Sequence, residues 1–402
     1  MVQQPPLPTQ ATCLLFVGAA RRPSFVVENC RVRLKELAPS EVLVRVRLAG
    51  LCASDVRRFI SEDAHDECAL VPGHEAVGDV IASRRPGIEV GVRVVFSSSN
   101  WCSTCEWCRR GAHVACENVT KYGHPPLASL SESELGGTLS SHVLLRAGTA
   151  VCPVPTSVSD GHALLASCAL ATVLAGVLRL TTCHMPMLLL DRNKMAGEDA
   201  AATAESAEGE SRTKPTALVQ GCGLVGVLAC AVLSEMGFRV FCEDFNVSRL
   251  RLASKFHAQP VFREAGPLTP SASLPERVDA VVVAIGSRLD YSDPYPSPPL
   301  LQGQLLRPGG ALLLLGQPRY SAFGKGATLE AADIYGRDLC VIGASEYEPD
   351  HLKDAVQFLE STEGKFPYSE LLSPVYPLSD FQNALTSALE RKFLRVVVRP
   401  MY

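Results

Sequence analysis

Between Thr216 and Asp244 the chain reads as a strand, TALVQ, a glycine turn, GCGLVG, a helical apolar run, LVGVLACAVLSEM, and a second strand, FRVFCED. That order leaves few folds open. Gly221 permits a tight turn, Gly223 lets the backbone approach a pyrophosphate, and Gly226 lets helix and strand pack closely. Leu224 and Val225 complete the turn, and the free N–H groups of the helix N-terminus suit an anion. At the end of the second strand an acid can accept hydrogen bonds from an adenosine ribose. Asp244 is favoured for that role, with Glu243 as the alternate. A carboxylate there repels a 2′-phosphate, so NAD is favoured over NADP, while Arg249 nearby keeps NADP open.

Further strand-like runs follow at VDAVVVAI, GGALLLLG and LCVIGA, separated by helical patterns. Such alternation is the signature of a parallel sheet with helices on both faces. The first third differs. EVLVRVRL, starting at Glu41, alternates apolar and charged residues, and short apolar runs at 76–81, 92–96 and 141–145 are punctuated by Gly, Pro and Ser, as in an irregular β domain. From Gly161 to Leu180 the pattern is continuously apolar and predicts a buried helix. Asp191 to Pro215 contains MAGEDAAATAESAEGES, which lacks aromatic and branched aliphatic residues and reads as a mobile insertion. After Ser345 come two helical segments, DHLKDAVQFLES and LSDFQNALTSALE, and a terminal strand, LRVVVRP, which a split domain could reclaim.

Two groups of residues have the chemistry of metal ligands. Cys102, Cys105, Cys108 and Cys116 fit C-x2-C-x2-C-x7-C, so four thiolates can close a tetrahedral zinc site with no open position. An iron–sulfur cluster would use similar ligands, but the ferredoxin spacing and a proline after the last cysteine are missing. The second group is dispersed: Cys52 in GLCASD, His74 with Glu75 in PGHE, and Cys168 in SCALAT. Singly, each cysteine could be a small buried hydrophobe and the histidine a hydrogen-bonded turn residue. Together, two thiolates and an imidazole make an open set suited to catalytic zinc, with Glu75 as an outer group or an occasional fourth ligand.

Composition narrows the classes. With 38 basic and 42 acidic side chains the charge is almost balanced, which leaves no broad basic surface for nucleic acid. The runs 185–190 and 311–315 are far shorter than a membrane span, so no membrane partner is expected. MVQQPPLPTQ lacks a basic start and an apolar signal core, which makes the cytoplasm the expected location. Fifteen cysteines in such a setting read as reduced thiols and metal ligands rather than a disulfide framework.

At GLCASD, PGHE, the four-cysteine run, SCALAT and GCGLVG with its acid, the chain resembles the zinc-dependent medium-chain alcohol dehydrogenases over nearly its whole length. The resemblance implies an α/β plus β fold: a GroES-like catalytic domain built from both chain ends, with a Rossmann doubly wound parallel-sheet domain inserted. The expected divisions are residues 1–180 for the catalytic domain, with a structural zinc lobe at 100–118, then 181–215 for the linker and insertion. Residues 216–344 form the Rossmann domain and 345–402 the return. KYGH, GTLSSHVLLRAGTAV, SCALATV and ASEYEPDHLKDAVQFL are also similar to a subgroup of alcohol dehydrogenases associated with phosphonate catabolism.

By this resemblance Cys52, His74 and Cys168 hold a catalytic zinc and the four clustered cysteines a structural one, two Zn2+ per chain. The implied reaction is hydride transfer between an alcohol and its aldehyde or ketone, with NAD as carrier. Ser54 is the expected first proton acceptor or a structural serine of a tight turn, Asp55 orients His74 or caps the turn, and Thr172 contacts the cofactor or is simply a residue of its helix. Arg395 is expected either to reach a cofactor phosphate or to be an exposed strand residue. Arg57 stands where liver-type relatives carry a histidine, and Ala53 where they carry an arginine, which puts their proton exit and one pyrophosphate contact in doubt. A homodimer or homotetramer is the family's usual assembly. Two competing readings are a catalytically idle scaffold of the same fold and a zinc-independent enone reductase, which would hold one zinc instead of two.

Overall fold

The computed structural model describes residues 7–17, 24–31, 36–60, 69–124, 135–184, 214–262, 274–285, 305–316 and 331–400. Residues 191–213 of the insertion, and residues 125–133 of the run YGHPPLASLSES, lie outside them. The chain divides into two compact units, Met1–Ala171 with Glu346–Tyr402, and Thr172–Ser345.

In the second unit six parallel strands lie in the order Ala258–Phe262, Arg239–Asp244, Thr216–Gln220, Val278–Val283, Leu306–Leu314, Cys340–Gly343. The order reverses direction at Thr216–Gln220, so the crevice beyond its C-terminal end is the switch point where such sheets bind ligands. The inner strands are runs of Val, Leu and Ala because both of their faces are covered. Leu218, Phe241, Val281 and Leu312 are among the residues of this core.

The first unit is built on a mostly antiparallel sheet. Its central strand, Val42–Leu51, pairs with Glu75–Ser83 on one side and with the last strand, Arg395–Arg399, on the other. Val42–Leu145 and Val44–Val143 pairings add His142–Leu145 along the same strand. The returning segment is therefore integral to the sheet, and pairing Val396 with Leu51 brings the start of the last strand beside Cys52. A smaller sheet joins Gln10–Val17 to Ser24–Arg31 and Ala69–Leu70.

The division falls at Ala171, nine residues before the expected end at 180. Beyond it the helix Ala171–His184 packs within the second unit, where a Cβ on Gly176 would come 2.6 Å from Leu315. The apolar stretch is also longer than its sequence pattern suggests. Asp160–Thr182 forms one helical run, 23 residues long, that by length and composition could cross a membrane, but 72% of its most apolar window is buried inside the protein. A helix apolar all round is explained here by burial in a core.

Candidate functional site

Cys52 follows directly on the strand Val42–Leu51 and opens the helix Ala53–Ile60. Asp55, at the third helical position, accepts the Cys52 N–H at 2.9 Å, which is half of a capping box. Its other oxygen lies 3.1 Å from His74 Nδ1. One buried carboxylate thus ties the turn of the first ligand to the imidazole of the second. With Nδ1 so occupied, Nε2 is the nitrogen left to bind a metal.

His74 enters by a different route. Gly73, at φ +94°, turns the chain into the strand Glu75–Ser83, and a Cβ there would lie 2.5 Å from Thr138 Oγ1. Glu75 is paired with Gly50 across the sheet. That glycine is required for space: a Cβ would fall 2.4 Å from Glu75 Oε2. Cys168 comes from a third region, a π-helical segment, Ala166–Leu170.

The ligand atoms of Cys52, His74, Glu75 and Cys168 all lie within 4.8 Å of one another. A hydrogen bond with Cys168 pulls the Cys52 thiol well below its ordinary value, assisted by Arg395 and His74 and opposed by burial. The same bond and burial push Cys168 well above its own. Burial acts to lower His74, but Asp55 outweighs it and holds the imidazole well above its ordinary value. Glu75 is raised to about 7 by burial, with Arg395 acting in the opposite direction. Among the described residues neither Glu75 oxygen has a hydrogen-bond partner, although Arg395 Nη2 stands 3.0 Å from Oε1 as an ion pair. Two converging thiols, an imidazole with a fixed tautomer and a buried carboxylate without a donor are a donor set that a divalent cation fits.

Arg395 corrects its expected placement. It is 5% exposed, pairs with Glu75 and donates from Nη1 to the Leu51 carbonyl at 3.2 Å, so it is neither an exposed strand residue nor free for a phosphate. Its strand pattern, RVVVR, carries no sign of this. Ser54 is exposed at the second position of its helix. Arg57 is half-buried, and the neighbouring Arg58 donates to the His124 carbonyl at 3.2 Å.

Cys102, Cys105, Cys108 and Cys116 also bring their sulfurs within 4.8 Å of one another. The lobe is wound so that its amides point at the thiols: Cys105 N–H donates to Cys102 Sγ at 3.3 Å and Cys102 N–H to Cys116 Sγ at 3.4 Å. Backbone N–H groups of Thr104 and Cys105 draw Cys102 down to about 5, which favours the thiolate a metal needs. Burial pushes Cys108 up to about 12. No position is left open among four such thiolates, as in a structural site.

The nucleotide turn belongs to the other unit. Gly221, at φ +91°, donates its N–H to Glu243 O at 2.8 Å, and Gly223 is the extended N-cap of Leu224–Glu235. A Cβ on Gly226 would lie 1.8 Å from Gly221 O, whereas one on Gly223 would meet nothing within 4 Å among the described residues, the side from which an anion can approach the amides. Leu224 is buried and Val225 half-buried. Asp244 accepts from Cys222 N–H at 2.7 Å and Asn246 N–H at 2.8 Å, leaving further lone pairs at a half-exposed carboxylate. Glu243 is buried, so Asp244 has the accessible acid. Arg249 is half-buried on the following helix, capped by Asn246. Thr172, buried, is the first residue of this unit.

The sequence profile of the alcohol dehydrogenase GroES-like domain matches residues 38–156. Erythritol/L-threitol dehydrogenase of Mycolicibacterium smegmatis is 26% identical over 88% of this chain and 90% of its own length. An alcohol dehydrogenase structure from Thermotoga maritima superposes with a TM-score of 0.76 at 20% identity, covering 98% of this chain and 100% of that one. A structure described as a zinc-binding dehydrogenase of Sinorhizobium meliloti 1021, bound to NADP, gives 0.71 at 20% identity over 98% and 100%. Domain match, near full-length relative and shared fold agree: residues 38–156 carry an alcohol dehydrogenase GroES-like domain, and over most of its length the chain is similar to alcohol and polyol dehydrogenases, oxidoreductases acting on CH–OH donors.

Proposed function

We propose that the protein catalyses the reversible dehydrogenation of a small alcohol with NAD, using zinc held by Cys52, His74 and Cys168, while Cys102, Cys105, Cys108 and Cys116 hold a second, structural zinc. The convergence of ligands from three separate chain regions within 4.8 Å carries this reading. When bound, zinc supplies Lewis-acid polarisation of the substrate oxygen and NAD supplies the hydride acceptor. The chain's own contribution is positional. Asp55 fixes the His74 tautomer, Arg395 balances the Glu75 charge, and the exposed Ser54 hydroxyl takes the alcohol proton and returns it to water. The relative's name specifies two four-carbon polyols, which supports a small polyol as substrate.

Purified protein is expected to contain two zinc ions per chain and to reduce NAD with at least one member of a panel of polyols and simple alcohols, followed by nicotinamide absorbance. Binding of NAD without turnover of any alcohol, aldehyde or ketone would support the idle scaffold, and one zinc per chain the enone reductase.

Asp244 makes the coenzyme preference testable. Bringing a 2′-phosphate beside its carboxylate costs on the order of a few kcal/mol. Asp244→Ser removes that repulsion but also loses the acceptor for Cys222 and Asn246 N–H. The ratio of kcat/KM for NAD to that for NADP should fall roughly tenfold or more; an unchanged ratio would place the discrimination elsewhere.

A further inference from the structure

Cys168 reaches its partners from an irregular piece of helix. Leu170 N–H bonds back five residues to Leu165 O at 3.0 Å, and Ala171 N–H reaches Ala166 O instead of the Ser167 carbonyl it would meet in an α-helix. This wider turn alters the direction in which Cys168 projects and releases the Ser167 carbonyl. The hydroxyl of Tyr347 donates to that carbonyl. Ser98 N–H in turn donates to the same hydroxyl at 3.3 Å. All of this is dry: Tyr347 is 1% exposed and Ser167 fully buried.

The other side of Tyr347 meets the four-cysteine lobe. Its ring stands edge-on to Trp101 at 6.4 Å, and Trp101 meets the His113 ring at 5.7 Å. Glu348, the next residue, accepts His113 N–H at 2.8 Å and Val114 N–H at 3.3 Å, inside the loop between Cys108 and Cys116. Burial pushes the Tyr347 phenol well above its ordinary value, so it remains a donor.

We infer that Tyr347 is a positioning residue for Cys168: anchored on Ser98 and the four-cysteine lobe, its hydroxyl fixes the Ser167 carbonyl and with it the π-helical turn that aims the Cys168 thiol at Cys52 and His74. The inference rests on the reading of those three residues as a zinc site. Outer groups that orient ligands typically contribute about 10–100-fold to metal affinity. A hydroxyl with only a packing role would change stability and leave the metal sites alike.

The test uses the full-length chain and Tyr347→Phe, each equilibrated with buffered zinc and, separately, with cobalt(II), whose absorption bands report ligand geometry. The wild type should hold two metals. The variant should retain the four-cysteine metal but bind the other about 10–100-fold more weakly, with shifted cobalt bands. Two sites of unchanged affinity and an unchanged cobalt spectrum in the variant would overturn the role of Tyr347, whatever the melting temperature did. A wild type that takes up only one metal would overturn the zinc reading itself, and the inference with it. Should the variant fail to fold, 3-fluorotyrosine placed at 347 keeps the hydroxyl, and its fluorine resonance should move when the Cys52–His74–Cys168 site fills; a resonance that stays in place would overturn the role equally.

Discussion

Replacing Cys168 by alanine should leave a folded protein that carries one zinc per chain and dehydrogenates its alcohol at least about a thousandfold more slowly. Lewis-acid polarisation supplies several kcal/mol of transition-state stabilisation, and each 1.36 kcal/mol is a factor of ten. Losing about 4 kcal/mol therefore accounts for roughly three orders of magnitude. Removal of a single sulfur suffices because Cys52 and His74, with only a Glu75 already ion-paired to Arg395 to replace the lost thiolate, fall short of the three-ligand set of a catalytic zinc. The fold should tolerate the change: Cys168 is only partly buried, and alanine is a good helix former. Elemental analysis, steady-state rates and a melting curve check the three parts separately. Two zinc ions with an undiminished rate would show that Cys168 is not a ligand.

Where the sequence is explicit, local chemistry and spacing are enough. The four cysteines lie within one loop, so spacing alone predicts their convergence. Gly221, Gly223 and Gly226 announce a turn whose geometry each glycine needs for a different reason. Cys52, His74 and Cys168 are harder, since their meeting depends on sheet register and on a helix of irregular pitch; the family resemblance, rather than periodicity, brought them together. Asp55 was legible because it lies three residues after Cys52, in capping position.

The features that escaped are those in which a residue acts on a distant partner. Arg395 reads as one charge at the start of an apolar strand, and only the pairing of Val396 with Leu51 turns it into the counter-ion of Glu75. Gly50 looks like an ordinary strand-end glycine until the Glu75 carboxylate is seen to occupy its missing side chain's space. Tyr347 lies within ASEYEPDHLKDAVQFL, a run that carries no sign of its role, because the Ser167 carbonyl becomes available only through the π-helical turn. The unit boundary at Ala171 was similarly hidden inside a helix that continues across it.

Arg395 also carries the second large effect. Arg395→Met keeps much of the side chain's apolar volume but leaves Glu75 buried without its ion pair, a change that typically costs about 3–5 kcal/mol. At roughly 2–4 °C per kcal/mol for a domain of about 150–250 residues, melting should drop by about 6–20 °C. The pH dependence has a defined sign. Burial already raises Glu75 to about 7 while Arg395 holds it down, so the variant's carboxyl lies higher still. A folded value above the unfolded one means stability that is full at low pH and lost as pH rises through the folded value. The gap between variant and wild type should therefore open as pH climbs past about 7. Zinc retention should weaken as well, because Arg395 helps draw Cys52 toward the thiolate. Adding Glu75→Gln should restore most of the melting temperature, since the charge that needed a partner is gone, but not the metal affinity. A double variant that melts as low as the single one would show that Arg395 stabilises the sheet through Leu51 and packing rather than through Glu75.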